Sequence, residues 1–511
     1  MQMSEESDAI SRPTTEPPAS EAEGLRALVV RGIAWKGVSQ VGIQLTRVAL
    51  AVAIARILAP EEYGIAAMTL IFSGFVLIFA DLALGQALVQ RAVLTAADKA
   101  TAFWTSVAAG AAFTALGVAA ADPIARFFGE PRLEAMIVVL SLTFLISAVG
   151  TTQSALLVRE MNFRALELRE LTATIVGASV ALAGALAAFG AWAIVAQQIA
   201  ASATTTILVW RYSPWRPTIA FSGASLRRFA GFSANVLGTQ MLTQLRVATP
   251  NAIIGRALDS SALGIYSLAF NIILVPFNRI AIPVSQVLFP ALSRIQDEQA
   301  QLAEYWRRSI RLLGAGVMPS LVGLIVVAPE FIEATLGSDW EKAGPTVRLL
   351  AVVGLLQTLQ FLNPIVLQAL DRTTLLLCWS LFSFAAAVVA LVIGLRWGIV
   401  GVAAALAVSS AITEPAYAWL TGRLLGVGFV RLLSDIAGIA QATAAMAALV
   451  LIVQLGLADT GLVAIVRLLI LVALGTVAYL ACLLWRAPDV VRDARSIRSG
   501  RRDDAAATSS Y

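Results

Sequence analysis

The sequence predicts an all-α membrane protein of two six-helix lobes followed by two C-terminal helices. Three observations predict it. Apolar residues make up 59% of the 511-residue chain, charged residues only 14%, and mean hydropathy is +0.81, which fits a polytopic membrane protein. About fourteen hydrophobic stretches approach the roughly 20 residues that span a bilayer. Two polar stripes also repeat inside such stretches. Lys36, Gln40, Gln44 and Arg47 step by four, four and three, as do Asn235, Thr239, Thr243 and Arg246, at a constant offset of 199. That spacing puts each stripe on one helix face.

Taken in order, residues 1–28 are expected to be a disordered cytoplasmic tail. They carry Glu5, Glu6, Asp8, Glu16, Glu21 and Glu23 among prolines and lack the apolar core of a secretory signal. The N-terminal lobe, 29–210, holds spans near 33–58, 64–84, 101–121, 133–156, 171–188 and 190–210. The last two are parted by little more than Phe189-Gly190. Residues 211–228, with Arg211, Arg216, Arg227 and Arg228, read as a cytoplasmic linker. The C-terminal lobe, 229–425, holds spans near 229–254, 263–290, 309–329, 346–369, 374–393 and 398–421. In the second of these, Pro276, Pro283 and Pro290 recur every seven residues, and each removes a helix hydrogen bond and favours a kink. Residues 426–485 supply helices 13 and 14, outside the repeat, and 486–511 form a second disordered cytoplasmic tail.

The placement of arginine predicts orientation. Arg159, Arg164 and Arg169, then Arg294, Arg307, Arg308 and Arg311, fall on the side of the linker and the basic C-terminal tail. The opposite side carries few basic residues and the acidic stretches Glu61-Glu62 and Glu330 to Glu341. Both termini are therefore expected in the cytoplasm. The duplication also extends beyond the stripes. Arg56-Ile57-Leu58 with Gly64-Ile65 returns as Arg256-Ala257-Leu258 with Gly264-Ile265, offset by 200, and Phe189-Gly190-Ala191-Trp192 is echoed by Trp397-Gly398-Ile399-Val400. An even step of six helices keeps both halves in one orientation, so the lobes should relate by a pseudo-twofold axis along the membrane normal.

A charge deep in a bilayer costs roughly 3 kcal/mol on insertion scales, so Arg47, Arg246 and Arg279 should face a polar interior. The excess of positive charge suits an anionic headgroup such as a diphosphate, whose oxygens match the guanidinium fork. Lys36, Gln40, Gln44, Arg47, Arg246 and Arg279 are the expected substrate-binding residues, and Asp81 and Glu414 the candidates for ion coupling. The competing reading makes the stripes hydrogen-bonding faces between neighbouring helices, and Arg348 and Arg467 packing residues. The chain has no histidine, two cysteines (Cys378 and Cys482) and no Gly-x-x-x-x-Gly-Lys-Ser/Thr run. Catalysis, a metal centre, a cofactor and ATP hydrolysis are accordingly not expected, and the basic pI reflects loops rather than nucleic-acid binding.

Several short stretches carry a family resemblance. They are Gly32-Ile33-Ala34-Trp35, Arg56-Ile57-Leu58-Ala59-Pro60-Glu61-Glu62-Tyr63-Gly64, Phe79-Ala80-Asp81-Leu82, Ile254-Gly255-Arg256, Leu263-Gly264-Ile265-Tyr266-Ser267 and Val287-Leu288-Phe289-Pro290-Ala291-Leu292-Ser293-Arg294. In this order and spacing the chain resembles the polysaccharide-transport family of lipid-linked oligosaccharide flippases, within the superfamily of the multidrug and toxin extrusion transporters. The resemblance runs from about residue 30 to 425. It implies a fourteen-helix, two-lobed transporter in a bacterial inner membrane, moving an undecaprenyl-diphosphate-linked glycan for exopolysaccharide, O-antigen or capsule assembly. It also implies a basic central cavity, a role that would fall here to Arg47, Arg246 and Arg279. The implied partners are the lipid-linked oligosaccharide diphosphate, membrane lipid, and a polysaccharide polymerase and export complex. A multidrug exporter of the same superfamily is the alternative, although a basic interior fits cationic drugs poorly. A membrane subunit that transports nothing is a third.

Overall fold

The computed structural model describes residues 49–81, 94–282, 298–457 and 460–490, with isolated positions within 40–47, 85–89, 284–292 and at 492. Side chains at 73, 75–81, 224, 228–240, 242 and 243 lie outside this description, as do residues 1–39 and most of the chain after 490. Among the described residues there are helices and turns but no strands.

Helical positions from 40 to 57 form α1, and α2 is Pro60–Asp81. α3, Ala96–Phe128, starts at a capping box in which Thr95 and Asp98 satisfy each other's backbone N–H, and ends where Gly129 takes the left-handed conformation. α4 is Arg132–Arg159, α5 is Phe163–Leu186 capped by the Asn162 side chain, and α6 is Trp192–Tyr212. After the connection 213–222 come α7, Gly223–Ala257, and α8, Ser260–Pro276, whose first turn is capped by Asp259. α8 continues as a π-helical segment, Phe277–Ala281. The widened turn begins directly after Pro276, which has no N–H to donate, so the expected kink takes this form. Pro283 and Pro290 lie outside the described residues.

α9 is Gln299–Thr335 and α10 is Gly344–Gln357. The single tenth span expected over 346–369 is broken: turns at 358–362 separate α10 from a short helix, Asn363–Ala369. Pro364 at the first turn of that helix cannot continue the preceding ladder, and buried Trp306 donates from Nε1 to Asn363 Oδ1 at 3.1 Å, fixing the break. α11 is Thr373–Gly394, α12 Gly398–Leu424, α13 Phe429–Leu457 and α14 Ala464–Arg486. Nine described helical stretches are long and apolar enough to cross a membrane, with α11 and α12 taken as one of them.

The two lobes share one contact plan. α3 lies along α4, α5 along α6, α4 against α6, and α2 against α4. Six helices later, α9 lies along α10, α11 along α12, α10 against α12, and α8 against α10. α13 and α14 pack on α9, with their own apolar cluster around Ile439, Met446 and Leu471. Polar ties hold them at both ends of α9. Arg307 donates to both oxygens of Asp435 at 2.6 Å, and Gln454 donates to buried Glu330 at 2.8 Å. Arg467, expected as a packing residue, lies 3.0 Å from Glu333 and 3.8 Å from Glu330. Glu330 thus belongs to α9 rather than to the acidic loop in which the sequence placed it. Past Arg486 the chain stays packed, since Ala487 and Val490 are buried, so the C-terminal tail starts later than residue 486.

The lobes meet closely at the end where α1 turns into α2. Here α2 and α8 touch backbone to backbone. A Cβ on Gly64 would lie 1.6 Å from the Ser260 carbonyl oxygen, and one on Gly264 2.1 Å from the Pro60 oxygen. Arg56 of α1 donates to the Thr335 carbonyl at 2.7 Å and to that of Ala334, capping α9 across the seam. Buried Trp340 donates to the Ala55 carbonyl at 2.6 Å and stacks edge-on against Tyr63. The duplicated Arg256 sits over Phe127 at the end of α3, the counterpart of α9. Nearby, Arg132 pairs with Glu61, Glu62 and Glu130, and its hydrogen bond holds the Glu130 carboxyl below its ordinary range.

The connection 213–222 is pinned to the N-terminal lobe. Trp104 donates to the Thr218 carbonyl at 3.0 Å, Ser222 N–H donates to Thr101 at 2.9 Å, and Trp215 packs edge-on against Phe103. α7 begins at Gly223, so the linker expected over 211–228 is a shorter and tethered one.

Candidate functional site

Arg47 lies on α1 and Arg246 on α7, each about ten residues before the seam and each exposed. They line two separate cavities. The N-terminal-lobe cavity encloses about 780 Å³ between α1, α4, α5, α6 and residue 85. The C-terminal-lobe cavity encloses about 190 Å³ between α7, α8, α10, α11 and α12. These are equivalent helices six apart.

On α6 and α12 the repeat offset of 208 pairs Gln198 with Leu406, Ser202 with Ser410, Thr205 with Thr413 and Thr206 with Glu414. On α5 and α11 the close approaches of Gly184 to Ala193 and of Gly394 to Gly401 give an offset of 210. The two lobes therefore carry their cavities on equivalent helices.

Their chemistry has diverged. Each arginine faces a carboxylate, but on non-equivalent helices. Arg47 Nη2 is 3.6 Å from Glu170 Oε1 of α5, and these side chains are 58% and 40% exposed. An ion pair that open to water is worth about 1 kcal/mol or less and is readily exchanged for another anion. Arg246 instead shares its cavity with Glu414 of α12, which is 7% exposed. The N-terminal cavity adds a second cation, Arg169, whose Nη1 donates to Ser154 at 3.0 Å. Its lining thus carries two guanidinium groups against one carboxylate, and that of the C-terminal cavity one against one.

The other expected residues are distributed as follows. Gln40 and Gln44 are half-buried on α1, on the face that leads to Arg47. Lys36 and the side chains of Asp81, Asn235, Thr239 and Thr243 lie outside the described residues. Arg279 is exposed on the π-helical segment and lines neither cavity, so the three deep arginines do not share one pocket. Glu414 is buried beside Arg246.

Sequence reasoning missed Arg169, which it counted among the cytoplasmic arginines, and Glu170. It also missed a small cavity of about 210 Å³ between the lobes, lined by Gln244, Asn251, Ser267 and Asn271 of α7 and α8 and by α2. The signal for Arg169 was available: positions 169, 170, 173, 174 and 177 form one helical stripe.

Comparison with known proteins agrees with this architecture. The teichuronic acid biosynthesis protein TuaB of Bacillus subtilis is 25% identical over 483 residues, covering 93% of this chain and 98% of that one. The succinoglycan biosynthesis transport protein ExoT of Rhizobium meliloti is 26% identical over 406 residues, covering 79% and 82%. Among solved structures, lipid II flippase MurJ in an inward closed conformation superposes with a TM-score of 0.68 at 14% identity, covering 89% of this chain and 99% of that one. That likeness extends to the fold. The family described as polysaccharide biosynthesis protein matches residues 53–345, more than half of the sequence. On that match the chain is a member of the polysaccharide biosynthesis protein family.

Proposed function

We infer that this protein is a flippase that carries lipid-linked oligosaccharide, joined to its polyprenyl chain through a diphosphate, across the bacterial inner membrane for polysaccharide assembly. One observation carries the reading: two arginines at equivalent places in duplicated lobes, each lining an equivalent cavity within the apolar bundle. Membership of a polysaccharide biosynthesis family supports it, and so does a relative named as a transport protein.

The mechanism follows from the cavities. Arg47 lies in the lobe with the more positive cavity, so it is the first receptor for the diphosphate, which displaces Glu170. Arg246 offers the equivalent cation in the other lobe, in a smaller cavity that also holds buried Glu414. Arg279 adds a third positive charge on a segment whose helix is already widened. With both termini cytoplasmic, the closed seam at Gly64 and Gly264 faces the periplasm, and the molecule is poised to load from the cytoplasmic leaflet. Opening that seam while the opposite end closes exposes the headgroup to the other side. A polymerase and export complex would take the product.

The test is glycan export in a deletion strain carrying Arg47→Ala, Arg246→Ala or Arg279→Ala, with membrane level measured for each. Export should fall while membrane level holds, and lysine should restore more than alanine because the charge survives without the fork. Normal export by all three alanine variants would overturn the reading.

A further inference from the structure

The duplicated arginines at the seam are used differently. Arg56 and Arg256 hold the same place in the repeat, ahead of Gly64 and Gly264. Arg56 gives its guanidinium to the last carbonyls of α9. Arg256 reaches the end of α3, but there the backbone N–H of Gly129 already donates to Ala125 and Arg126. Arg256 lies instead over the Phe127 ring, 6.0 Å from its centre. It is exposed and has no hydrogen bond or carboxylate partner among the described residues. Neighbouring Arg126 is already paired with Asp122.

Below Arg256 runs a groove of about 500 Å³, within the ~300–1,000 Å³ of ligand pockets. Phe72, Phe113, Phe127, Phe128 and Phe144 line it from the N-terminal lobe, and Ala252 of α7 lines it from the other, so it straddles the seam. Every lining side chain is apolar. Ala252 and Arg256 are four residues apart, which sets the cation directly above the groove on one face of α7. Leu116 and Phe127 of α3 are exposed, and α3 is long and apolar enough to cross a membrane, so what reaches the groove from outside is bilayer hydrocarbon. Arg256 stands in the last turn of α7, where a spanning helix reaches the headgroup level.

A hydrocarbon slot with an uncompensated cation at its mouth matches a lipid, its chain in the slot and its anionic head on the guanidinium. Arg246 lies ten residues earlier on α7, ~15 Å along the helix axis. A diphosphate held there does not reach Arg256. We propose that the groove is a site for a resident anionic phospholipid of the bilayer, distinct from the transported lipid. Its chain bridges α3 of one lobe and α7 of the other, and so holds the seam closed.

The test titrates delipidated full-length protein with phosphatidylglycerol and with phosphatidylcholine of the same chains, read by native mass spectrometry. The wild type should retain phosphatidylglycerol about fivefold more tightly, the effect of one arginine near an anionic surface. Arg256→Gln should abolish the preference, and Arg396→Gln, an exposed arginine just after α11, should keep it. Phosphatidylglycerol carrying a diazirine on its chain should mark residues 113–128, and Ala120→Phe, which fills the groove, should remove that mark. Thermal unfolding checks Ala120→Phe, and Arg256→Gln decides if it does not fold. Spin labels on Ala59→Cys and Ser338→Cys, with Cys378 and Cys482 replaced by alanine, should show a larger closed population in phosphatidylglycerol nanodiscs than in phosphatidylcholine, a difference lost in Arg256→Gln. Equal retention of the two lipids by the wild type, or a mark elsewhere, would overturn the site. Displacement by equimolar undecaprenyl diphosphate would give the groove to the transported lipid and overturn the proposal. Equal closed populations would overturn the holding role. None of these outcomes touches the flippase reading, which glycan export decides.

Discussion

Removing the Arg56 side chain should loosen the closed end of the molecule by a predictable amount. Its guanidinium crosses from α1 to the last carbonyls of α9, groups with no partner inside their own helix. A cation at a helix C-terminus contributes ~0.3–1 kcal/mol, and a hydrogen bond to a charged group ~1.5–3 kcal/mol when sheltered. Arg56 is exposed, so the sheltered figure does not apply, and about 1 kcal/mol remains. That corresponds to roughly a fivefold shift in the balance between closed and open seams. Spin labels on Ala59→Cys in one lobe and Ser338→Cys in the other, with Cys378 and Cys482 replaced by alanine, would report it through distance distributions. Arg56→Ala should raise the long-distance population about fivefold, and Arg56→Lys less. An unchanged distribution in Arg56→Ala would refute the idea that this contact helps hold the lobes together.

Two further outcomes follow from the same end of the molecule. Gly64→Ala and Gly264→Ala should each spread the seam more than Arg56→Ala, with Gly64→Ala the worse, because the added carbon would overlap a backbone carbonyl that cannot rotate away; the same labelled pair should show a lengthened main distance, and a wild-type distance would contradict it. For orientation, a membrane-impermeant thiol reagent applied outside the cell should modify Ser338→Cys and spare Ser499→Cys, and the reverse pattern would invert the assignment.

The fold was legible because composition and helix-length hydrophobic runs are local properties. The offsets at Arg56, Arg256 and the paired glycines also exposed the duplication before any contact was known. The site was only half legible. Arg47 and Arg246 stood out because a charge inside a long apolar run is conspicuous. Arg169 and Glu170 did not, since they sit in the first turns of α5 next to a basic turn and look like flanking charges until α5 is packed against α1. The expectation of a single pocket for three arginines failed for a related reason. A stripe shows which face of a helix is polar, but not whether that face meets its own lobe or the other. The break after Gln357 was hidden because the sequence around it stays apolar; only Pro364 hinted at it.

The contact between Gly64 and Gly264 bears on how motion is rationed in such a machine. Most protein interfaces yield by degrees, because side chains change rotamer and take up slack. Here main chain meets main chain, and there is nothing at the point of contact that can bend out of the way. The seam consequently has no slack of its own: an added atom must push the two helices apart. For a carrier, a contact of this kind makes the closed end a tight stop against leakage of protons or ions without cargo.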